Sequence, residues 1–387
     1  MNCEKLFTYI DSLEQKYLNV LEDVCNIESP TNNKQKVDEV GNYFIEMANQ
    51  KGWDIDILKH DVAGNAICIT MNSNSTEKPI CLSGHIDTVF PLGAFGYPPV
   101  KSDAENMYGP GVMDCKGGVV GAFMAMDALK SIGYSARPIK LIIQTDEETG
   151  SSTSGKATIN YMCEKAKNSV AFFNLEGHLK NTAVLVRKGI LRYKLEVFGK
   201  ALHSSRCFDG ANAITEASYK IIQLEKMKDA DGLTCNCGVI SGGSTANSVA
   251  ENCTFYADIR FADLEQLALA REKVKEIAEK VFVEGCSCKF SEISFRPAMP
   301  SLDKNKALLE KMNSVYKKSG LPILKGRSCL SGADVAYITE IGVPCVDCLG
   351  TEGYNIHSIN EYIRLSSLAE SAKRLASVIY LFDEIDN

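Results

Sequence analysis

Five histidines in 387 residues can be weighed one at a time, and two of them mark places where chemistry is concentrated. Gly84-His85-Ile86-Asp87 follows the apolar run 79–83. The i, i+2 spacing turns His85 and Asp87 to one face at the carboxyl end of a strand, where open α/β sheets place their sites. Alone, such a pair is a weak signal that reads first as a satisfied core hydrogen bond, with a carboxylate steadying a metal-bound imidazole as the alternative. Asp114 lies in Gly109-Pro-Gly-Val-Met-Asp-Cys-Lys-Gly-Gly, which misses the phosphate-loop pattern because Cys115 precedes Lys116 and Gly117 follows it. An acid on a loop this rich in glycine suits a cation that the backbone approaches closely.

Ile142-Ile-Gln-Thr-Asp146-Glu147-Glu148 runs from an apolar strand into three adjacent anions, which repel one another unless water or a cation compensates. A solvated turn would explain them. However, Phe172-Phe-Asn-Leu-Glu176 repeats the arrangement, and Asn355-Ile-His357-Ser adds a histidine after another predicted strand. Together His85, Asp114, Glu148, Glu176 and His357 offer two imidazoles and three carboxylates, a donor set for borderline divalent metals such as zinc. Two such ions against three carboxylates leave one positive charge, which one hydroxide neutralises, and hydroxide is the nucleophile a site of this kind generates at neutral pH. Glu147 is the spare carboxylate beside the metals, placed to move a proton.

The elements that must position these residues are readable from periodicity. Helical spacing covers 4–25 and 34–51, and β-rich runs follow at 54–58, 65–70 and 79–84. A helix opening at Lys116-Gly-Gly is apolar nearly all round and is expected to be buried against a sheet. A strand at 138–145, a helix at 157–166 and a strand at 170–175 complete an α/β alternation. After about residue 186 comes a strand (190–198), a helix (211–228), strands near 233–240 and 249–260, a helix (263–281) and a strand near 287–294, an order that is ferredoxin-like. The α/β texture then returns, with helices at 303–319, after Gly332 and at 363–383. The expected organisation is a catalytic domain of residues 1–186 and 298–387 interrupted by an inserted domain, 187–297.

Composition bounds the partners. With 45% hydrophobic and 24% charged residues the chain reads as soluble and globular, which excludes disorder and collagen. The net charge of −7 comes without any basic block, which argues against nucleic acid, and no apolar run approaches the roughly 20 residues a membrane span requires. The start lacks the apolar core of a signal peptide, so a cytoplasmic location is expected. Fifteen scattered cysteines, several in apolar runs, are the usage of a reducing compartment, and a zinc cluster from Cys235/Cys237, Cys286/Cys288 and Cys345/Cys348 is disfavoured by spacing. Trp53 is expected in the core, His60 and His178 in exposed loops, and Lys116 in a local cap or pair.

In order along the chain, Gly84-His-Ile-Asp-Thr-Val, the Asp114 loop, Thr145-Asp-Glu-Glu-Thr-Gly-Ser, Glu176, Gly199-Lys-Ala-Leu-His203-Ser, the Asn247 loop and His357-Ser resemble the M20 family of di-zinc metallopeptidases and amidohydrolases, in its glutamate carboxypeptidase branch. The resemblance implies a di-zinc peptidase domain with a mixed sheet flanked by helices, and an inserted ferredoxin-like α+β lid and dimerisation domain. It also implies two divalent ions, zinc with cobalt or manganese as substitutes. Asp114 would bridge them, His85 and Glu176 would complete one shell, and Glu148 and His357 the other. Asp87 would orient His85, Glu147 would be the general base, His203 would reach a neighbouring subunit's site in a homodimer, and Asn247 and Arg260 would bind the substrate's carbonyl and carboxylate.

Two positions depart from the family pattern. Cys115 stands where the family often has a second Asp, preceded there by a cis peptide, and Arg327-Ser-Cys-Leu-Ser-Gly-Ala-Asp334 lacks that branch's run of glycines. Arg327 either binds a carboxylate or pairs with Asp334. The implied reaction is cleavage of an amide beside a free α-carboxylate in a small peptide, or deacylation of an N-acyl or N-succinyl amino acid. A non-catalytic metal-binding protein would have lost the base or a ligand, and a cysteine hydrolase would survive chelation.

Overall fold

A computed structural model describes residues 3–229 and 232–384. The chain divides into two compact units. The first holds the chain up to Leu185, Ser301–Ser328 and the chain from Tyr337 onward, and the second holds Val186–Pro300 with Cys329–Ala336.

The first unit is built on a six-stranded mixed sheet in the order Asp54–Leu58, Ala66–Met71, Ile139–Gln144, Ile80–His85, Ala171–Asn174, Cys345–Val346. The last four of these strands run parallel and the first two antiparallel. Residue alternation sorts the two faces. Ile80 and Leu82 join the main core, whereas Cys81 lies 3.0 Å from Ser169 Oγ and Ser83 Oγ lies 3.4 Å from Met162 Sδ of helix Ala157–Ala166. The main core is formed with helices Glu4–Asn26, Lys34–Lys51, Lys116–Ser131 and Ser367–Tyr380, and in it Phe123 packs 5.4 Å from Phe44 and 5.5 Å from Trp53. Lys116–Ser131 is buried over nearly its whole length, as its apolar circumference requires, because it packs against two helices as well as two strands of the sheet.

A small four-stranded sheet, in the order Gly353–Tyr354, Tyr362–Arg364, Asn106–Tyr108, Lys101–Ser102, is not apparent in the sequence periodicity. Its strands have two or three residues, too few for an alternation to register. It also corrects the final helix, which begins at Ser367 rather than 363 because Tyr362, Ile363 and Arg364 pair with Tyr108, Met107 and Asn106.

The second unit is a four-stranded antiparallel sheet, Thr234–Gly242, Asn252–Phe261, Gly189–Phe198, Ser287–Arg296, with helices Ala213–Glu225 and Leu264–Glu279 packed on it. The β-α-β-β-α-β chain order with this strand order is ferredoxin-like. Leu191, Leu195, Phe255, Ile259, Leu267 and Val274 form its core. Asn212 and Asp263 cap the two helices by accepting backbone N–H bonds in their first turns. Cys329–Ala336 joins this unit although it lies beyond the 187–297 stretch, because Arg187 donates to Ser331 Oγ at 2.9 Å and Arg296 pairs with Asp334 at 3.3 Å. Asp334 therefore engages Arg296 rather than the Arg327 considered from sequence. Among the described residues no helix is long and apolar enough to cross a membrane.

Gly118 shows how closely the buried helix must approach the sheet. A Cβ there would lie 2.0 Å from the Leu175 carbonyl oxygen, a backbone atom with little room to move. Gly118→Ala is therefore expected to destabilise the protein by about 1–3 kcal/mol or more, read as a lower midpoint in urea at unchanged slope. A midpoint equal to that of the unmodified protein would refute the close approach.

Candidate metal centre

Three parallel strands deliver their carboxyl ends to one edge, with His85 opposite Gln144 and Ser83 opposite Asn174. His85 closes its strand, Glu147 and Glu148 form a single helical turn just after Gln144, and Glu176 follows Asn174 by two residues. Asp114 enters from the loop before helix Lys116–Ser131, and its peptide bond to Cys115 is cis. His357 comes from the turn joining Gly353–Tyr354 to Tyr362–Arg364, where its φ is +59°.

The other four ligand candidates gather around the Asp114 carboxylate, the two histidines directly and the two glutamates through them. His85 Nε2 is 2.9 Å from Asp114 Oδ1 and 3.8 Å from Glu176 Oε1. On the other side His357 Nε2 is 3.3 Å from Asp114 Oδ2 and 3.2 Å from Glu148 Oε2. Each oxygen of Asp114 thus faces one imidazole, and each imidazole faces one glutamate. Donors around a tetrahedral zinc, with bonds of about 2.0–2.1 Å, are separated by about 3.3 Å, so the spacing fits shared cations. Donor atoms of His85, Asp114 and Glu148 fall within 4.8 Å of one another, as do those of His85, Cys115 and Glu176. Cys115 is a bystander in the second group. Its Sγ–H donates to the Leu175 carbonyl at 3.2 Å, and burial holds the thiol protonated well above its ordinary range. Among the described residues every group of donors able to share an ion contains His85, and none draws on the cysteine pairs of the second unit.

Titration behaviour follows from this crowding. Burial alone would raise the Asp114 carboxyl, but hydrogen bonds from His357 and His85 hold it far below the carboxylate range. Burial, above all, pushes Glu148 up to about 7 despite its bond to His357. The bonds to Asp114 and Glu148 raise His357 to about 10. Protonated imidazole thus supplies positive charge where the carboxylates demand it, as a divalent cation would.

Residues outside the ligand set hold the centre in shape. Asp87 is fully buried. Its backbone carbonyl lies 3.1 Å and its Oδ1 3.4 Å from His85 Nδ1, which leaves Nε2 to face the centre. The same carboxylate accepts the N–H groups of Glu147 and Glu148, both at 3.2 Å, and the Thr31 hydroxyl at 2.7 Å, so one side chain fixes both the imidazole and the acidic turn. Asp146 anchors that turn from behind, accepting from Ser154 N at 2.8 Å and Thr158 Oγ1 at 2.5 Å.

Sequence reading missed Glu361. Its buried carboxylate accepts backbone N–H groups from Met113 at 2.9 Å, Asp114 at 3.0 Å and Gly111 at 3.3 Å, and burial with the nearby Asp114 charge pushes it up to about 8. The available signal was an acid four residues after His357 on the same turn.

Other sequence assignments distribute differently. Lys116 is fully buried and caps another element, donating to the carbonyls of Val24 at 2.9 Å and Ile27 at 2.8 Å at the end of helix Glu4–Asn26, rather than pairing locally. His178, expected to be exposed, is buried with its Nδ1 2.9 Å from the Leu179 carbonyl, because the segment bridges to Glu352. His60 is half-buried and accepts the N–H groups of Val62 and Ala63 on Nδ1. Arg327 Nε donates to Thr182 Oγ1 at 3.3 Å. In the second unit His203 is exposed, and its Nδ1 accepts the Ser205 N–H at 3.3 Å, so a neutral ring carries its proton on Nε2. Asn247 is also exposed, and its carbonyl accepts the Ser204 N–H. Arg260 donates to Asp258 Oδ1 at 2.6 Å.

Imidazoles and carboxylates gathered at the parallel edge of a mixed sheet define a metal-dependent hydrolase. The comparisons agree, and the chain belongs to peptidase family M20/M25/M40, whose model matches residues 81–381. Carboxypeptidase G2 of Pseudomonas sp. (strain RS-16) is 26% identical over 380 residues, 97% of this chain and 91% of that protein. Acetylornithine deacetylase of Buchnera aphidicola subsp. Schizaphis graminum is 24% identical over 369 residues, 90% of this chain and 91% of its own length. The crystal structure of a tripeptidase from Staphylococcus aureus superposes with a TM-score of 0.78 at 21% identity, covering 96% of this chain and 99% of that one. The protein is thus a peptidase or amidohydrolase of a metal-using family.

Two tests address this geometry. His357 holds its proton up to about pH 10 between Asp114 and Glu148, so a cation binding there at pH 8 must release it. Zinc titrated into chelator-treated protein should show proton release in calorimetry across buffers of different ionisation enthalpy, with affinity rising as pH rises. Binding without proton release would contradict the ligand role of His357. Glu361→Ala strips the acceptor from three backbone N–H groups and is expected to cost about 2–4 kcal/mol of stability and to weaken metal binding, with Glu361→Gln intermediate. Metal affinity unchanged in both variants would remove Glu361 from the centre.

Proposed function

We propose that the protein is a two-metal exopeptidase that cleaves an amide bond beside a free α-carboxylate, in the manner of a glutamate carboxypeptidase. The observation that carries this reading is the Asp114 carboxylate, each of whose oxygens faces one histidine that in turn faces one glutamate. Asp114 would bridge, His85 with Glu176 would hold one ion, and Glu148 with His357 the other. The mixed nitrogen and oxygen donors suit zinc, with cobalt or manganese as substitutes. Divalent ions in this position supply Lewis acidity toward the scissile carbonyl and lower the pKa of water.

Glu147 lies outside the ligand set and is largely buried, so its carboxylate takes a proton from the attacking water and passes it to the leaving nitrogen. Asp87 keeps His85 oriented throughout. His203 donates its Nε2–H to the developing oxyanion and Asn247 binds the same carbonyl. Arg260 binds the substrate's carboxylate. It shares Asp258 with Arg192, and two guanidiniums on one carboxylate leave net positive charge for an anion. Arg327 is retained as a second carboxylate partner.

The likeness to acetylornithine deacetylase supports a neighbouring reading, deacylation of N-acyl or N-succinyl amino acids, which differs in the acyl group and not in the chemistry.

We also assign residues 187–297 as a lid and dimerisation domain. Val239 and Ile240 on the edge strand Thr234–Gly242, with Tyr219 and Ile222 on helix Ala213–Glu225, are large apolar side chains left exposed, and an edge strand with such neighbours invites pairing with a second copy. A cytoplasmic location accords with thiols buried as small hydrophobes, among them Cys25, Cys81 and Cys345, each pushed up to about 12 by burial.

Activity of metal-loaded protein should be assayed on dipeptides, glutamate conjugates and N-acyl amino acids. Glu147→Gln is expected to lower turnover by about 10²–10⁴-fold while metal content is retained, whereas Glu148→Gln loses metal. Full activity after exhaustive chelation, or equal metal loss in both variants, would overturn the assignment. For His203 the measurement is subunit mixing. His203→Ala and Glu147→Gln should each be nearly inactive alone, and verified mixed dimers should regain activity if the histidine serves the opposite subunit. Mixed dimers that stay inactive, or an active native monomer, would end the trans role.

A further inference from the structure

Beside the metal centre, and wholly within the first unit, lies a cleft of about 550 Å³ with Glu148 and Thr149 at one end. One wall is Val89-Phe-Pro-Leu92 and the other is Pro30-Thr-Asn-Asn33. The two walls are tied together by backbone bonds, Thr88 N to Ser29 O at 2.9 Å and Thr31 N to Thr88 O at 3.2 Å, through a parallel bridge between Pro30 and Thr88. The apolar wall is braced from behind. Both oxygens of Glu28 accept the Gly93 N–H, at 2.9 and 3.0 Å, and the rings of Phe90 and Phe95 meet edge to face with centroids 4.8 Å apart. The cleft is therefore preformed rather than a gap between loose loops.

Its chemistry is distinctive. Val89 and Leu92 are 43% and 51% exposed, although large apolar side chains normally find cover. No lysine or arginine lines the cleft, and its charged member, Glu148, is committed to the centre. The side-chain carbonyl of Asn33 caps Lys36 N, and the other polar groups of the lining, Thr31, Asn32, Thr88 and Thr149, are uncharged. A charged substrate side chain would find no partner here and would lose hydration, whereas an aliphatic or aromatic one gains cover from Val89, Pro91 and Leu92.

We propose that this cleft is a specificity subsite for an apolar side chain on a residue flanking the scissile amide. The inference rests on the hydrolase reading above and names a substrate preference for it. The same chemistry arises from an apolar group on the acyl side or on the leaving amino acid, and the substrates can separate the two. It predicts that an enzyme otherwise resembling glutamate-releasing relatives favours leucine or phenylalanine over glycine or lysine at one of these two positions.

The test compares Gly-Gly, Leu-Gly, Gly-Leu, Lys-Gly and Gly-Lys, with N-acetyl-glycine and N-acetyl-leucine, on metal-loaded enzyme. At one position kcat/KM for Leu should exceed that for Gly by at least about 10-fold and that for Lys by more, and in Val89→Asp and Leu92→Asp the Leu-to-Gly ratio should fall toward one. A second readout is independent of turnover. In methyl-labelled Glu147→Gln protein, the Val89 and Leu92 resonances should move on addition of either Leu-Gly or Gly-Leu and stay in place with Gly-Gly. Absence of Leu preference at both positions, a ratio unchanged in both variants, or unmoved Val89 and Leu92 methyls would overturn the subsite. If neither this panel nor the glutamate conjugates are hydrolysed, the exopeptidase reading fails, and the methyl shifts still decide whether the cleft takes an apolar group.

Discussion

The centre depends on keeping one carboxylate, that of Asp114, ionised and buried between two imidazoles. A carboxylate removed from water is costly unless every oxygen is paired, and here each oxygen faces a histidine that itself faces a glutamate. Removing any member leaves a neighbour with an uncompensated charge. That dependence explains why so much surrounding structure is devoted to angles and registers rather than to further ligands.

The supports are arranged in layers. Glu361 gathers the amides of the Asp114 loop, and Asp87 gathers the amides of the Glu147–Glu148 turn while orienting His85. Each of these buried acids faces several donors at once, the condition under which a polar group in a core specifies geometry instead of weakening it. Behind them, Gly118 lets the buried helix come against the Leu175 carbonyl, which draws the Asp114 loop to the segment that leads from strand Ala171–Asn174 to Glu176. Lys116 ties the same helix start to the end of helix Glu4–Asn26. Packing and site geometry are therefore one problem in this unit, and a change in the core is felt at the side chains gathered around Asp114.

Electrostatics divides the labour between the units. The first concentrates negative charge and needs cations. In the second, Arg192 and Arg260 outnumber the Asp258 they share. The apolar subsite proposed beside Glu148 would add recognition that does not depend on charge.

Much of this was legible in the sequence because its signals are local. Strands 79–84 and 138–145, the apolar helix at Lys116 and the β-α-β-β-α-β order are set by periodicity, and the ligand types at strand ends follow from the choice of imidazole and carboxylate there. Other features depend on contacts between distant segments. The two-residue and three-residue strands that carry the His357 turn to the Asp114 loop have no period to read, and nothing local singles out Glu361, around which three amides close. His178 and Lys116 were misjudged for the same reason, since burial depends on what another part of the chain places on top of a residue. The sequence by itself determined which groups were available and which elements would hold them. Only the tertiary structure decided which groups meet, because pairing across 29 residues from His85 to Asp114, or 247 from Asp114 to Glu361, is fixed by sheet register and packing and leaves no mark on local composition.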